Sequence, residues 1–204
     1  MTVAWPRVLA TTGVTAALLT GCFPTPPPEP GPRTFHVSPD GDDGRAGTSP
    51  DTAWRTIDRV NRQDLDPGDT VAFEGGGTYR GELKLFAEDS GTDAEPVVVT
   101  SYGEGRATVD GGDWVGITSY DSEGITLEHL AVVGSGATTN DAHGVQFYND
   151  LPDDTVLRAI RVDDVRIAGF GLGACCSDRT SAAAATPTCA FVTSTRPTTA
   201  RAGS

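Results

Sequence analysis

The sequence predicts an all-β fold in which short strands wind into a solenoid, and two observations support this prediction. The first is a repeat: the apolar pattern of residues 125–136 recurs 35 residues later, in residues 160–171. The second is an alternation of apolar residues within each copy, interrupted once by Glu128 and His129 and once by Asp163 and Asp164. Alternation predicts strands, and each two-residue interruption predicts a corner between strands. Self-similarity at such a period is typical of solenoids.

Further segments fit the same pattern. Between the two copies lies a strand-like run at residues 144–147, and its upstream counterpart is at residues 116–118. The uninterrupted valines at 97–99 are typical of a parallel sheet covered on both faces. The other predicted strands are residues 34–37, 70–73, 83–86, 96–102 and 107–112, with a corner at 75–79. An antiparallel β-sandwich with matching strands remains the alternative.

The segments GITLEHLAVVGSG, HGVQF and AIRVDDVRIAGFG resemble coils of the right-handed parallel β-helix family, the pectate-lyase-like repeat proteins. The resemblance covers roughly residues 34–171 and implies a right-handed parallel β-helix. Residues 51–61 are predicted to form one helix, with Thr52 as its cap and with Trp54, Ile57 and Val60 on one face. Such a helix would cap the apolar interior and the open strand edge of the first coil.

The N-terminus is predicted to be a lipoprotein signal peptide (residues 1–22) followed by a proline-rich tether (residues 23–33). Arg7 precedes an apolar run that is too short to span a bilayer comfortably. The run ends in Leu-Thr-Gly-Cys, which resembles the lipobox of bacterial lipoproteins. This resemblance implies cleavage before Cys22, a diacylglycerol on its thiol, and an extracytoplasmic protein anchored to the cell membrane. An ordinary signal peptide or a buried apolar segment is the alternative.

Residues 172–204 break the pattern and are predicted to be a disordered or aberrant tail. They contain one acidic residue, Asp178, together with Cys175, Cys176 and Cys189, whereas residues 34–171 contain no cysteine. A change of reading frame that truncates a longer β-helix is the preferred interpretation, because the break falls within a coil and leaves an apolar end without a cap.

The charge of the chain restricts its partners. A formal net charge of −13 and an isoelectric point near 4.4 argue against nucleic acid, since no basic stripe neutralises phosphates. Acidic turns can bind Ca²⁺ through carboxylate oxygens, and Asp40, Asp42 and Asp43 are the candidate ligands, although their spacing is not that of an EF-hand. A solubilising role is the alternative. A monomer is expected.

The resemblance implies an enzyme that acts on polysaccharides, either a lyase or a glycoside hydrolase. Asp163, Asp164 and His129 are the candidate catalytic residues, because the repeat stacks the two corners in neighbouring coils. Three arginines are candidates to meet a uronate, with pairing to nearby acidic residues as an equal alternative: Arg158, Arg161 and Arg166. A solvated polar corner, a non-catalytic glycan-binding or structural module, and a non-functional fragment remain alternatives. Nucleotide, zinc and nucleophile-elbow motifs do not occur.

Overall fold

The computed structural model describes residues 31–152, 155–178 and 193–194, and their regular secondary structure is almost entirely β-strand. They contain one four-residue helix, α1 (Ile57–Val60), and two short 3₁₀ turns, Pro50–Thr52 and Ala87–Asp89. The strands of the described residues are β1 (Thr34–Val37), β2 (Thr70–Glu74), β3 (Thr78–Arg80), β4 (Leu83–Leu85), β5 (Val97–Tyr102), β6 (Ala107–Gly112), β7 (Ile117–Tyr120), β8 (Ile125–Glu128), β9 (Leu130–Gly134), β10 (His143–Asn149), β11 (Arg161–Asp163), β12 (Arg166–Ala168), β13 (Leu172–Asp178) and β14 (Thr193–Ser194).

The strands form three sheets that the chain visits in turn. Sheet A has the order β1-β2-β5-β8-β11-β14, sheet B the order β3-β6-β9-β12, and sheet C the order β4-β7-β10-β13. Three consecutive strands therefore make one coil: β2–β4 form coil 1, β5–β7 coil 2, β8–β10 coil 3 and β11–β13 coil 4. Every strand pair of the described residues is parallel. The predicted right-handed parallel β-helix is thus confirmed, and the antiparallel sandwich is wrong.

The register agrees with the repeat seen in the sequence. Leu127 pairs with Val162 in sheet A, and Val132 pairs with Ile167 in sheet B, each pair 35 residues apart. In sheet C, Val145 pairs with Ile117, as predicted from the shorter segments.

The interior of the solenoid is a set of aliphatic and aromatic rows, one side chain from each coil. Because side chains alternate along a strand, every second residue faces inward. The inward rows are Val71, Val99, Leu127 and Val162 on sheet A, Tyr79, Val109, Val132 and Ile167 on sheet B, and Leu83, Ile117 and Val145 on sheet C. The remaining side chains on these strands project from the outer surface of the solenoid.

The N-terminal helix is shorter than predicted, and its cap is a different residue. The α-helix occupies Ile57–Val60, and the Thr56 hydroxyl accepts from the Arg59 amide, whereas Thr52 belongs to a separate 3₁₀ turn. The cause is Trp54, whose backbone pairs with β1: its amide donates to the carbonyl of His36 at 2.9 Å. A residue in this extended pairing cannot also be helical. The three predicted apolar residues are nevertheless all buried.

The residue after α1 covers an open strand edge. The Asn61 side-chain amide donates to the carbonyl of Glu82 at 2.9 Å, and its oxygen accepts from the amide of Lys84 at 2.9 Å. Asn61 therefore bonds to the unpaired edge of β4 as a neighbouring strand would, which is the capping role that the sequence predicted for this segment.

The solenoid extends beyond residue 171. Strand β13 pairs in parallel with β10, and β14 pairs with β11, so part of the predicted tail forms strands. Residues 1–30, which include Cys22 and most of the predicted tether, lie outside the described residues, as do 179–192 and 195–204. Among the residues that the structure describes, no helix is long and apolar enough to cross a membrane.

Candidate functional site

The predicted corner residues stack where sheet A turns into sheet B. His129 is the single residue between β8 and β9, and Asp164 directly follows β11. Both have left-handed backbone conformations, with φ of 53° and 51°, which turns the chain sharply. Glu128 and Asp163, the residues just before them, are Cα partners in adjacent strands. The stacking expected from the repeat is therefore present.

The structure joins His129 and Asp164 and adds an arginine that the sequence did not single out. His129 Nδ1 lies 2.9 Å from Asp164 Oδ2, and the Arg106 guanidinium forms an ion pair with Asp164 Oδ1. The hydrogen bond with His129, followed by that from Arg106, holds the pKa of the Asp164 carboxyl below its usual range. Since both His129 and Asp164 are about half exposed, this cluster faces solvent.

Arg106 reaches Asp164 across an intervening coil. It belongs to the corner of coil 2, while Asp164 belongs to coil 4. The corner of coil 3, which lies between them, is the single residue His129. Because the corners differ in length between coils, the 35-residue repeat does not align Arg106 with Asp164, and the sequence does not predict their contact.

Backbone and hydroxyl contacts fix the position of His129. The Ser101 hydroxyl donates to the His129 carbonyl at 2.7 Å and accepts from the Ala107 amide at 2.9 Å. The His129 amide donates to the Asp163 carbonyl at 3.2 Å. These contacts come from coil 2 and coil 4, so hydrogen bonds on both sides hold the backbone that carries the His129 imidazole.

A cleft lies on the same outward face of sheet A. Its volume is about 180 Å³, and its lining residues are Thr92, Asp93, Pro96, Thr126, Ala159, Ile160 and Arg161. Arg161 precedes Asp163 by two positions on β11, so the two side chains project to the same face. Of the three predicted arginines, Arg166 instead lies on sheet B, and Arg158 lies in the connection before β11. Asp93 and Thr92 lie in a polar loop for which the sequence gave no functional signal.

This arrangement can transfer protons. Glu128 and Asp163 are half-buried carboxylates on neighbouring strands, whose backbones are about 4.8 Å apart in a sheet. Two carboxylates on one face can serve as general acid and general base. An imidazole with one nitrogen held by a carboxylate has a fixed orientation and is a further proton carrier.

In the acidic loop predicted as a calcium site, two of the three carboxylates accept hydrogen bonds from nearby residues. Asp43 Oδ1 accepts from the amides of Arg55 and Thr56, and its Oδ2 accepts from the Thr56 hydroxyl at 2.7 Å. Asp42 accepts from the Gly44 amide at 2.9 Å. Within the described residues, no three His, Cys, Asp or Glu side chains are grouped to hold a metal ion. Asp40 and Asp42 line one cleft, whereas Asp43 bonds to the residues just before α1, and calcium binding by these three residues stays a prediction.

Comparison with known proteins points to carbohydrate-active relatives. No family model matches the chain. A lacto-N-biosidase of Bifidobacterium longum subsp. longum is 26% identical over an alignment of 170 residues, and the match covers 67% of this chain and 11% of that protein. The chain thus spans about a tenth of the length of this curated relative.

Solved structures show the same architecture. The native GH136 lacto-N-biosidase from Eubacterium ramulus matches with a TM-score of 0.57 at 21% identity, over 72% of this chain and 30% of that one. Its selenomethionine derivative gives a TM-score of 0.53. At this identity the likeness shows the fold alone, and the conclusion from it is that the chain has the parallel β-helix architecture found in glycoside hydrolases of this kind.

Proposed function

We propose that this chain is part of an exported protein that acts on glycans as a glycoside hydrolase, with the substrate lying along the outer face of sheet A. The observation that carries the proposal is the pairing of Glu128 and Asp163 on one face, beside the His129–Asp164 contact. Arg161 and the adjoining cleft supply a hydrogen-bonding wall for sugar hydroxyls. The named relatives favour hydrolysis over the lyase reaction that the sequence left open.

In this proposal the two carboxylates divide the chemistry. One of Glu128 and Asp163 protonates the glycosidic oxygen as the leaving group departs. The other either removes a proton from the attacking water or attacks the sugar carbon to form a glycosyl ester, which water activated by the first carboxylate then hydrolyses. Asp164 and Arg106 act as positioning residues, because they hold the imidazole of His129 and the corner backbone rather than contacting the sugar bond.

The membrane anchor and the incomplete copy belong to the same proposal. The Leu-Thr-Gly-Cys sequence and the proline-rich residues after it support a lipid-anchored protein held off the membrane. The abrupt loss of acidic residues in the C-terminal segment supports a copy that lacks further coils.

A non-catalytic glycan-binding module is the second candidate. The tight pairing of Asp164 with Arg106 favours it, because that carboxylate is already committed to holding neighbouring coils together.

The test is incubation of the full chain with an oligosaccharide that ends in lacto-N-biose and with neutral and acidic polysaccharides. We expect new reducing ends, and a loss of about 100-fold or more in Glu128→Gln and Asp163→Asn. Asp58→Asn, an exposed carboxylate on α1, is the matched control and is expected to behave as wild type.

Products that absorb in the ultraviolet would show elimination and overturn the hydrolase assignment. Retention of a glycan without cleavage, unchanged by the two carboxylate substitutions, would favour the binding module.

A further inference from the structure

A row of aromatic rings runs along the outer face of sheet C, one ring from each of coils 1 to 3. Its members are Phe86, which directly follows β4, Tyr120 at the end of β7, and Tyr148 on β10. The ring centroids of Phe86 and Tyr120 lie 5.8 Å apart, and those of Tyr120 and Tyr148 lie 5.7 Å apart. Phe86 and Tyr120 are 37% and 38% exposed. We call these three residues the aromatic row.

A second row of polar residues lies beside the first. It consists of Lys84 and Gln146, each two positions before an aromatic residue. Thr118 pairs with both of them on the strand between, but it is only 1% exposed and is not part of this row. The two rows therefore project to the same face of the sheet. Thr118 donates to Glu82 Oε1 at 2.5 Å, and Lys84 Nζ lies 3.4 Å from Glu82 Oε2.

Contacts between aromatic rings on neighbouring strands stabilise a sheet by themselves. Such stabilisation does not require the rings to be exposed, because ring–ring contacts are more favourable when water is excluded. Phe86 and Tyr120 stay exposed to water nevertheless, with the partly buried Tyr148 beside them, and an exposed apolar patch is typical of a binding surface.

We propose that the aromatic row and the polar row together bind a neutral oligosaccharide chain that runs along the solenoid axis. A pyranose ring has an apolar C–H face that packs on an aromatic ring, and hydroxyls at its edge that bond to polar side chains. The coils are spaced about 4.8 Å apart, which is comparable to the length of one sugar unit in an extended chain. Tyrosine adds a hydroxyl to each apolar contact.

The charge of this surface selects a neutral glycan. The cation of the polar row, Lys84, is already paired with Glu82, and Asp121 follows Tyr120 directly. The whole chain carries a formal net charge of −13. A uronate-rich chain would therefore be repelled, whereas neutral hydroxyls meet carboxylate and amide acceptors.

This site lies on sheet C and is separate from the corner on sheet A. The choice of a glycan as its ligand rests on the proposed function, while the location of the site rests on the rings. It would hold the substrate chain without taking part in bond cleavage.

The experiment is calorimetric titration of the full chain with cellohexaose, with an oligosaccharide that ends in lacto-N-biose, and with hexagalacturonate. We expect a neutral probe to bind and hexagalacturonate not to bind. Tyr120→Ala is expected to weaken binding about tenfold, and Tyr120→Phe is expected to retain most of it. Trp114→Ala removes a ring that is 75% exposed on a different corner, and it is the matched control.

Urea unfolding of each variant separates lost binding from lost folding. If the folded Tyr120→Ala protein binds glycan as the wild type does, the proposed role of the aromatic row is overturned. The proposed glycan cleavage on sheet A is not affected by that result. If glycan binding depends on Tyr120 but no glycan is cleaved, the aromatic row is supported as a binding site and the proposed hydrolase activity is contradicted. Self-association that Tyr120→Ala abolishes, with no glycan bound, identifies a second copy of the chain as the occupant and overturns the proposal.

Discussion

At the scale of single residues, Asp69 holds the start of the solenoid in place. Its side chain is 1% exposed, and its carboxylate accepts from the amides of Arg33 and Asp66 and from the Arg33 guanidinium. Burial alone would raise the pKa of this carboxyl. The hydrogen bonds and the charge of Arg33 outweigh burial, so the pKa of Asp69 lies below its ordinary value. Arg33 is the last residue of the predicted tether, and this pair fixes it to β2.

This pKa predicts how stability depends on pH. Because the pKa of Asp69 is lower in the folded chain than in the unfolded chain, the ionised carboxylate stabilises the fold. That contribution is complete above the unfolded pKa of about 3.8 and is lost as pH falls through the folded pKa. We expect Asp69→Asn to lower the free energy of unfolding at pH 7 by about 3 kcal/mol, and to remove part of the acid dependence.

Urea unfolding at pH 7 and near pH 3 measures both effects. Asp66→Asn is the matched control, because Asp66 pairs with the same arginine but its side chain is 62% exposed. We expect the control to change stability by less than about 1 kcal/mol. Equal losses in the two variants would show that burial of Asp69 is not the cause.

At the scale of elements, stacked glycines set how closely coils 3 and 4 approach. A Cβ built on Gly169 would lie 2.4 Å from the carbonyl oxygen of Gly134, and the φ of Gly169 is +76°. Gly169→Ala therefore combines a strained backbone with a backbone collision. We expect it to destabilise the protein by about 2–3 kcal/mol in urea unfolding.

Gly103→Ala measures the cost of a positive φ without a collision. Gly103 has a φ of +74°, but a Cβ there would meet nothing within 4 Å. We expect its cost to be about 1 kcal/mol. If Gly103→Ala and Gly169→Ala cost the same, close packing of the coils contributes nothing at this position.

The edge of β4 offers a second prediction about an element. Asn61→Ala removes both hydrogen bonds to that edge, so we expect a loss of about 1–2 kcal/mol and greater self-association. Light scattering and urea unfolding measure the two effects. Asn61→Asp keeps an acceptor for the Lys84 amide and is expected to lie between wild type and Asn61→Ala. An Asn61→Ala protein that stays monomeric and fully stable would contradict the capping role.

Elements that repeat could be predicted from the sequence, and elements that depend on a single contact could not. The 35-residue spacing gave the register of Leu127 with Val162 because buried rows require equivalent residues to touch. The helix was predicted too long because Trp54 is apolar in helical spacing, yet its backbone pairs with β1.

The candidate site was predictable only in part, for a similar reason. His129 and Asp164 share one repeat position, so their contact follows from the spacing. Arg106 and the aromatic row come from coils of different length, since Phe86 and Tyr120 are 34 residues apart but Tyr120 and Tyr148 only 28. No fixed period aligns them, and only the folded chain brings them together.

At the scale of the whole molecule, the lipid anchor proposed at Cys22 predicts where the protein resides. We expect the wild-type chain, expressed in a bacterium, to sediment with membranes and to yield a diacylated N-terminal peptide beginning at Cys22. Cys22→Ala leaves no thiol to alkylate, so we expect the protein to move to the soluble fraction. Mass spectrometry of the membrane fraction is the measurement, and Cys189→Ala is the control. Membrane association that survives Cys22→Ala would exclude lipidation as the anchor.

The Arg106–Asp164 ion pair gives the solenoid a property beyond its local geometry. The stability of a repeat protein is usually a sum of terms between adjacent units. Here a cation of coil 2 binds an anion of coil 4, so a change in one coil is felt two coils away. Unfolding that starts at either end must break this ion pair before coil 3 is released, so the pair adds a small stabilising term between coils that are not adjacent.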